Sequence, residues 1–228
     1  MAKKIVKKRK LKIFRLLLII LILGVIFFAV DIYLNTRIKN IMIKGNKYLK
    51  DDYILKLSGT KNYPSFYFTT SSSIKRKLEK SPYIRKVNIS KSFYHTLNIN
   101  VIENEVLFIN ASDNKIILSD GKKTLDVGID LYRVPRLMNY VPDTKYHKLI
   151  KATKKINPDI LGKISEMTYV PNDYDKDRFM LYMDDGNMVY LTLTKFKMIN
   201  YYNEVLEQLD NRHGILYLDS GNHFQIKE

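Results

Sequence analysis

Cysteine is absent from the 228 residues, so no disulfide supports any part of the fold. Histidine is scarce. His95, His147, His213 and His223 are scattered and show no metal-site spacing. No phosphate-cradling glycine loop and no Gly-x-Ser-x-Gly are present. Fragments of a penicillin-interacting enzyme do occur, at Ser58-x-x-Lys61, Ser72-x-x-Lys75 and Ser112-Asp113-Asn114. That mechanism also needs Lys-Thr-Gly on a strand, and the nearest match, Lys123-Thr124-Leu125, has Leu in place of Gly. Asp173, Asp175 and Asp177 alternate like the start of a calcium loop. The required Gly is Arg178 and the required Glu is Asp184, so a solvated acidic turn is expected instead. With these sets incomplete, no catalytic residue, metal or cofactor is expected.

Acid is also missing from the first thirty positions, whereas Lys3, Lys4, Lys7, Lys8, Arg9, Lys10, Lys12 and Arg15 crowd the first fifteen. They supply half of the formal +16 charge. A basic balance raises nucleic acid as a partner. Here the strongest cluster adjoins an apolar run, where anionic lipid accounts for it, and the remaining charges are interleaved.

That run, Leu16 to Val30, is uncharged. As a helix it spans roughly 22 Å against about 30 Å of hydrocarbon. Ile13 and Phe14 before it, and Ile32, Tyr33 and Leu34 after it, extend the segment to spanning length. Arg15 can snorkel to the headgroups, and Tyr33 suits the far interface. A buried core helix would carry a polar face, and this run has none. A cleaved signal peptide needs small residues before the cut, yet Phe27 and Phe28 precede Ala29. An uncleaved anchor at 16–34 is expected. Its basic flank keeps the N-terminus (1–15) in the cytoplasm and places everything after about Asn35 outside.

Beyond the anchor, alternation predicts a strand at 38–46, with Ile41 and Ile43 on one face. Asp51 or Asp52 is expected to cap a helix that buries Tyr53, Ile54 and Leu57 and ends at Gly59. An aromatic patch, Phe66 to Phe68, is expected to pack back onto the core. A second helix is capped within Thr69–Ser73, with Ile74 and Leu78 on its buried face, and stops at Ser81-Pro82. Strands at 83–91 and 96–103 follow. The order is strand, helix, helix, strand, strand.

The stretches IMIKGNKYLKDDYI and SIKRKLEKSPYIRKVNISKSFYHTLNINVIENE resemble a POTRA domain of the FtsQ/DivIB family of bacterial cell-division proteins. The features that carry the likeness are Ile43 to Asn46, Leu78 followed by Pro82, Ile84 and Val87, and Leu97-x-Ile99-x-Val101-x-Glu103. The arrangement is similar too: basic tail, one anchor, POTRA domain (36–105), then a β-domain (106–228). The fold class expected is α+β.

In the second part, strands are expected at 106–110, 115–118, 164–170, 179–183 and 188–192, with a hairpin turn at Asp185-Gly186. Leu118 to Gly121 and Val134 to Leu137 are similar to family landmarks. Helices are expected at 144–157 and 195–211, the second burying Phe196, Ile199, Tyr202, Val205, Leu206 and Leu209. His213-Gly214 closes that helix. A final hairpin joins 215–218 to 223–227.

The resemblance implies a non-enzymatic divisome scaffold at the division septum. It would bind single-pass division proteins of the FtsB/DivIC and FtsL classes and help regulate septal wall synthesis. The partner site it implies lies on the last strands, at Leu218, Ser220, Gly221, Phe224 and Ile226. Ile215 and Tyr217 stand where the family carries an acid and a base. Strand addition to an exposed sheet edge is the mechanism. Alternation leaves open whether Phe224 and Ile226 face the partner or the core. The POTRA strand at 83–90, with Lys86, Asn88 and Lys91, is a second candidate edge. Another membrane-anchored POTRA-type export or envelope-assembly factor, or a wall-modifying enzyme, is the alternative.

Overall fold

The computed structural model describes residues 13–129, 131, 133–210 and 212–226. Residues 3–12, Asn211 and Lys227, which figure in the expectations above, lie outside them. The apolar run forms α1 (Ile13–Asn35), a 23-residue helix with no buried residue, long and apolar enough to cross a membrane.

Next come β1 (Asn40–Lys44), α2 (Asp51–Ser58), α3 (Ser71–Leu78), β2 (Ile84–Ser92) and β3 (Thr96–Glu103). They form a three-stranded sheet in the order β1-β3-β2, with β1 parallel and β2 antiparallel to β3. Ile54, Ile74, Leu78, Val87, Leu97, Ile99 and Val101 are buried in its core. Thr70 caps α3, its side chain accepting from the Ser73 amide at 3.2 Å. The cap of α2 differs from expectation. Lys50 occupies the N-cap position, and Asp51 and Asp52 lie in the first turn. Carboxylates are favoured there by the helix dipole, and Asp52 also pairs with Lys56 at 2.7 Å and Lys61 at 2.6 Å.

The motif residues meet in space. The β1 strand ends at Gly45, whose φ is +85°; a Cβ there would sit 2.2 Å from the Val101 carbonyl oxygen. Two residues beyond Val101, the Glu103 carboxylate accepts from the Tyr48 and Leu49 amides at 2.8 and 2.9 Å. Asn46 Nδ2 donates to the Leu49 carbonyl and to Asp51. The glycine and the glutamate are thus two sides of one turn that seats α2 on the sheet.

The second sheet is built from β4 (Val106–Asn110), β5 (Lys115–Leu118), β6 (Lys123–Thr124), β7 (Arg136–Leu137), β8 (Ile164–Tyr169), β9 (Arg178–Met183), β10 (Met188–Thr192), β11 (Gly214–Tyr217) and β12 (His223–Ile226). The order is β12-β11-β10-β9-β8-β7-β4-β5-β6. Its first hairpin is buried on both sides. Val106, Ile109, Ile116 and Leu118 belong to the core of the first sheet, while Leu107, Phe108 and Ile117 belong to that of the second. A register shift between Val106 and Phe108 lets two consecutive residues face the same side.

Two helices depart from expectation. The 144–157 helix is α4 (Asp143–Thr153), followed by a separate α5 (Pro158–Leu161) with Asn157 as N-cap and Pro158 at its start. The 195–211 helix is a 3-10 segment (Leu193–Tyr201) continuing as α6 (Tyr202–Gln208). Leu193, Phe196, Ile199 and Tyr202 are buried at strict intervals of three. A three-residue turn aligns them in one stripe, which a 3.6-residue turn does not.

Candidate functional site

Strand β12 is an edge of the large sheet, paired to β11 on one side. Phe224 lies opposite Leu216 and packs against the core. Ile226 shares that face beyond the packed interior and is 50% exposed. Gly214, opposite Ile226, is required for this approach. A Cβ there would meet the Gln225 carbonyl oxygen at 2.1 Å and the Phe224 ring at 2.8 Å.

The other face carries a row of stacked side chains running to the edge. The Arg178 guanidinium lies 3.9 Å from the Tyr190 ring centroid. Tyr190 stacks on Tyr217 at 5.4 Å, and Tyr217 on His223 at 4.6 Å. The Tyr217 hydroxyl donates to Gln225 Oε1 at 3.2 Å.

The turn between β11 and β12 is braced from beneath. Its Leu218 amide donates to the Tyr190 carbonyl at 2.7 Å. Lys195 Nζ donates to the carbonyls of Leu218 and Asp219 at 3.1 and 3.2 Å. Arg178 Nε donates to Asp219 Oδ2 at 2.6 Å. Burial alone would raise the Asp219 pKa. The Arg178 hydrogen bond and charge, with the Ser220 hydroxyl and amide, outweigh it and hold the carboxyl below its ordinary range. Gly221 and Asn222 take positive φ at the tip.

The expected contact residues therefore occupy unlike settings. Ser220 and Gly221 are exposed at the tip, Ile226 is half exposed, Phe224 is half buried, and Leu218 is in the core at 5% exposure. Sequence reasoning missed His223 and Gln225, on the solvent face of the same strand, and the Arg178–Asp219 pair behind it. A period-two reading of 223–226 separates the two faces without saying which is wet.

The second candidate edge, β2, does border the small sheet, with Lys86 and Asn88 exposed. Lys91 is committed elsewhere. Its Nζ donates to the Phe66 carbonyl and lies 4.6 Å from the Phe66 ring, and burial lowers its pKa.

The enzyme-like fragments have structural partners. Ser58 Oγ bonds to the Leu55 carbonyl and to Thr60, Lys61 pairs with Asp52, and Ser112–Asn114 forms the β4–β5 turn, where Asp113 pairs with Lys115. In the acidic turn, Asp175 accepts from the Asp177 amide and Thr192, while Asp177 binds Lys145.

Comparison with known proteins bears on this architecture. Residues 36–104 match the model of the FtsQ-type POTRA domain. Cell division protein DivIB of Listeria monocytogenes is 27% identical over 232 residues, covering 96% of this chain and 84% of that one. The Bacillus cereus DivIB is 30% identical over 180 residues, covering 77% and 70%. The chain belongs to the FtsQ/DivIB family of cell-division proteins. The solved major extracytoplasmic domain of DivIB from Geobacillus stearothermophilus aligns at a TM-score of 0.39 and 21% identity, covering 47% of this chain and 95% of that one. The family is non-enzymatic. With α1 as its anchor, this member is a membrane-anchored, single-pass protein with an extracytoplasmic part.

Proposed function

We propose that this protein is a divisome scaffold that accepts a strand from an FtsB/DivIC- or FtsL-class partner on the free edge of β12. It thereby helps regulate wall synthesis at the septum. Residues 36–105 and 106–228 are its two domains, and the basic residues 3–12 keep the N-terminus in the cytoplasm.

The observation that carries the reading is the contrast between the two edges of the large sheet. The β6 edge is two residues long and follows Lys122 with Lys123, a combination that discourages pairing. The β12 edge is four residues long, His-Phe-Gln-Ile, without Lys, Arg, Asp or Glu. It is held in register by the braced turn. A partner strand finds an aligned row of N–H and C=O groups whose ordering cost has been met in advance.

A photo-crosslinking residue placed at Gln225 of the full-length protein in dividing cells tests this. Adducts with a single-pass division protein are expected at Gln225 and not at Lys123; adducts at Lys123 alone would overturn the placement. An N-terminal fluorescent fusion should gather at mid-cell, and depletion should give undivided cells. An even envelope signal with normal division would refute the septal reading.

A further inference from the structure

We propose that the membrane-proximal end of the small sheet seats on the outer leaflet through an aromatic collar, so that the lipid interface itself holds the extracytoplasmic part in one orientation. The uncharged run stops at Val30, and Asp31 is the first charged residue after Arg15. Tyr33 lies three residues past Val30, about 4.5 Å along the helix. That height falls within the headgroup layer, about 5–7 Å thick on each side.

The following chain does not lead away from this level. Tyr67 stacks on Tyr33 with ring centroids 4.4 Å apart, and Phe68 meets Tyr33 edge-on at 5.6 Å. The loop carrying them is sewn to the residues just past the helix. The Phe66 amide donates to the Thr36 carbonyl at 2.9 Å, the Ile38 amide to the Pro64 carbonyl at 3.0 Å, and Arg37 bridges Ser65. Tyr67 and Phe68 are exposed, although this aromatic patch is expected from the sequence to pack onto the core; only Phe66 packs there.

A second aromatic pair reaches the same end. The β2–β3 hairpin tip is joined to it by the Lys39 amide donating to the His95 carbonyl at 3.0 Å and by the His95 ring against Phe66 at 5.0 Å. On this tip Phe93 is 89% exposed and Tyr94 85%. Tyr94 and His95 both hold positive φ, a conformation glycine adopts far more readily. The tip therefore carries aromatic bulk where glycine would be easier and water is a poor neighbour. Arg37 and Lys39 are exposed at the same end, placed for lipid phosphates. Tyrosine at headgroup height, apolar rings beside it and cations among them match the composition of an interfacial belt. The occupant is the bilayer because the collar is continuous with a helix that lies in it.

The chain has no tryptophan, which makes the test direct. Phe93→Trp introduces a sole indole at the tip. Tyr174→Trp introduces one at a fully exposed position in the acidic turn. Each full-length variant is placed alone in nanodiscs of phosphatidylcholine and phosphatidylglycerol containing brominated lipid. Blue-shifted emission and several-fold stronger quenching are expected for Trp at 93 than at 174, and adding Tyr94→Asp should reduce both. Equal quenching at the two positions would overturn the proposal. So would an unquenched position 93 that turns blue only when a second division protein is added, an outcome that assigns the collar to a protein.

Discussion

Arg178 on β9 and Asp219 in the β11–β12 turn form a 2.6 Å ion pair with side chains only 17% and 8% exposed. The pair crosses β10, so an internal strand and the proposed docking edge are held to each other. Removing the cation leaves a buried carboxylate without its partner. Arg178→Met is expected to cost about 3 kcal/mol, and adding Asp219→Asn should restore part of it. Denaturant titration of the full-length protein in discs measures both.

The same pair gives an acid limit. The folded Asp219 pKa lies below its ordinary value. Its stabilisation is therefore complete above about pH 4 and is lost as pH falls through the lower folded value. The stability difference between wild type and Asp219→Asn should shrink on acidification below pH 4. A constant difference would contradict the assignment.

An alkaline limit is expected from Tyr83. Its ring is buried, and its hydroxyl donates to the Leu125 carbonyl at 2.6 Å. Burial is the main cause that pushes its pKa up to about 12. The fold favours the neutral phenol, so this contribution holds below pH 10 and is lost between about pH 10 and 12. Tyr83→Phe should cost about 1 kcal/mol near neutrality, and melts across pH should show the gap closing over that interval.

Glu103→Ala should cost about 2 kcal/mol, because the Tyr48 and Leu49 amides lose their shared acceptor. Glu103→Gln, which keeps one carbonyl oxygen, should lose less. Thermal unfolding of the two variants ranks them.

Gly214→Ala should detach β12 while leaving β12's own side chains unchanged, since the new methyl would collide with the Gln225 carbonyl and the Phe224 ring. Faster amide exchange confined to 223–226, together with loss of the Gln225 crosslink, is the expected pair of results.

These residues also show where sequence was informative. The strand pair within 84–103 is legible from the alternation at 87–90 and 97–101, that within 106–118 from short apolar runs around a turn, and the Gly45 and Glu103 positions are legible as a family likeness although their contact is not. The 3-10 segment was not readable as such. Its residues Phe196, Ile199 and Tyr202 fit one face of an α-helix well enough, and only burial at every third position separates the two. The double burial of β4 was hidden for another reason. Its apolar run Val106 to Ile109 reads as an ordinary strand, and the second core that claims half of it lies far along the chain. At the candidate site, the hairpin was legible from Asp219 to Asn222. The assignment of Phe224 to the core rests on its packing opposite Leu216, with Gly214, which faces Ile226, leaving room for its ring.

The doubly buried hairpin has a mechanical consequence. A pull at Ile226 travels strand by strand through β11, β10, β9, β8 and β7 into β4. There the opposite face of the same strand is packed into the core that holds Ile38, three residues past the end of α1. No slack linker interrupts this path. A tug at the proposed docking edge would reach the anchor through paired strands and packed side chains, as through a strut and not a tether.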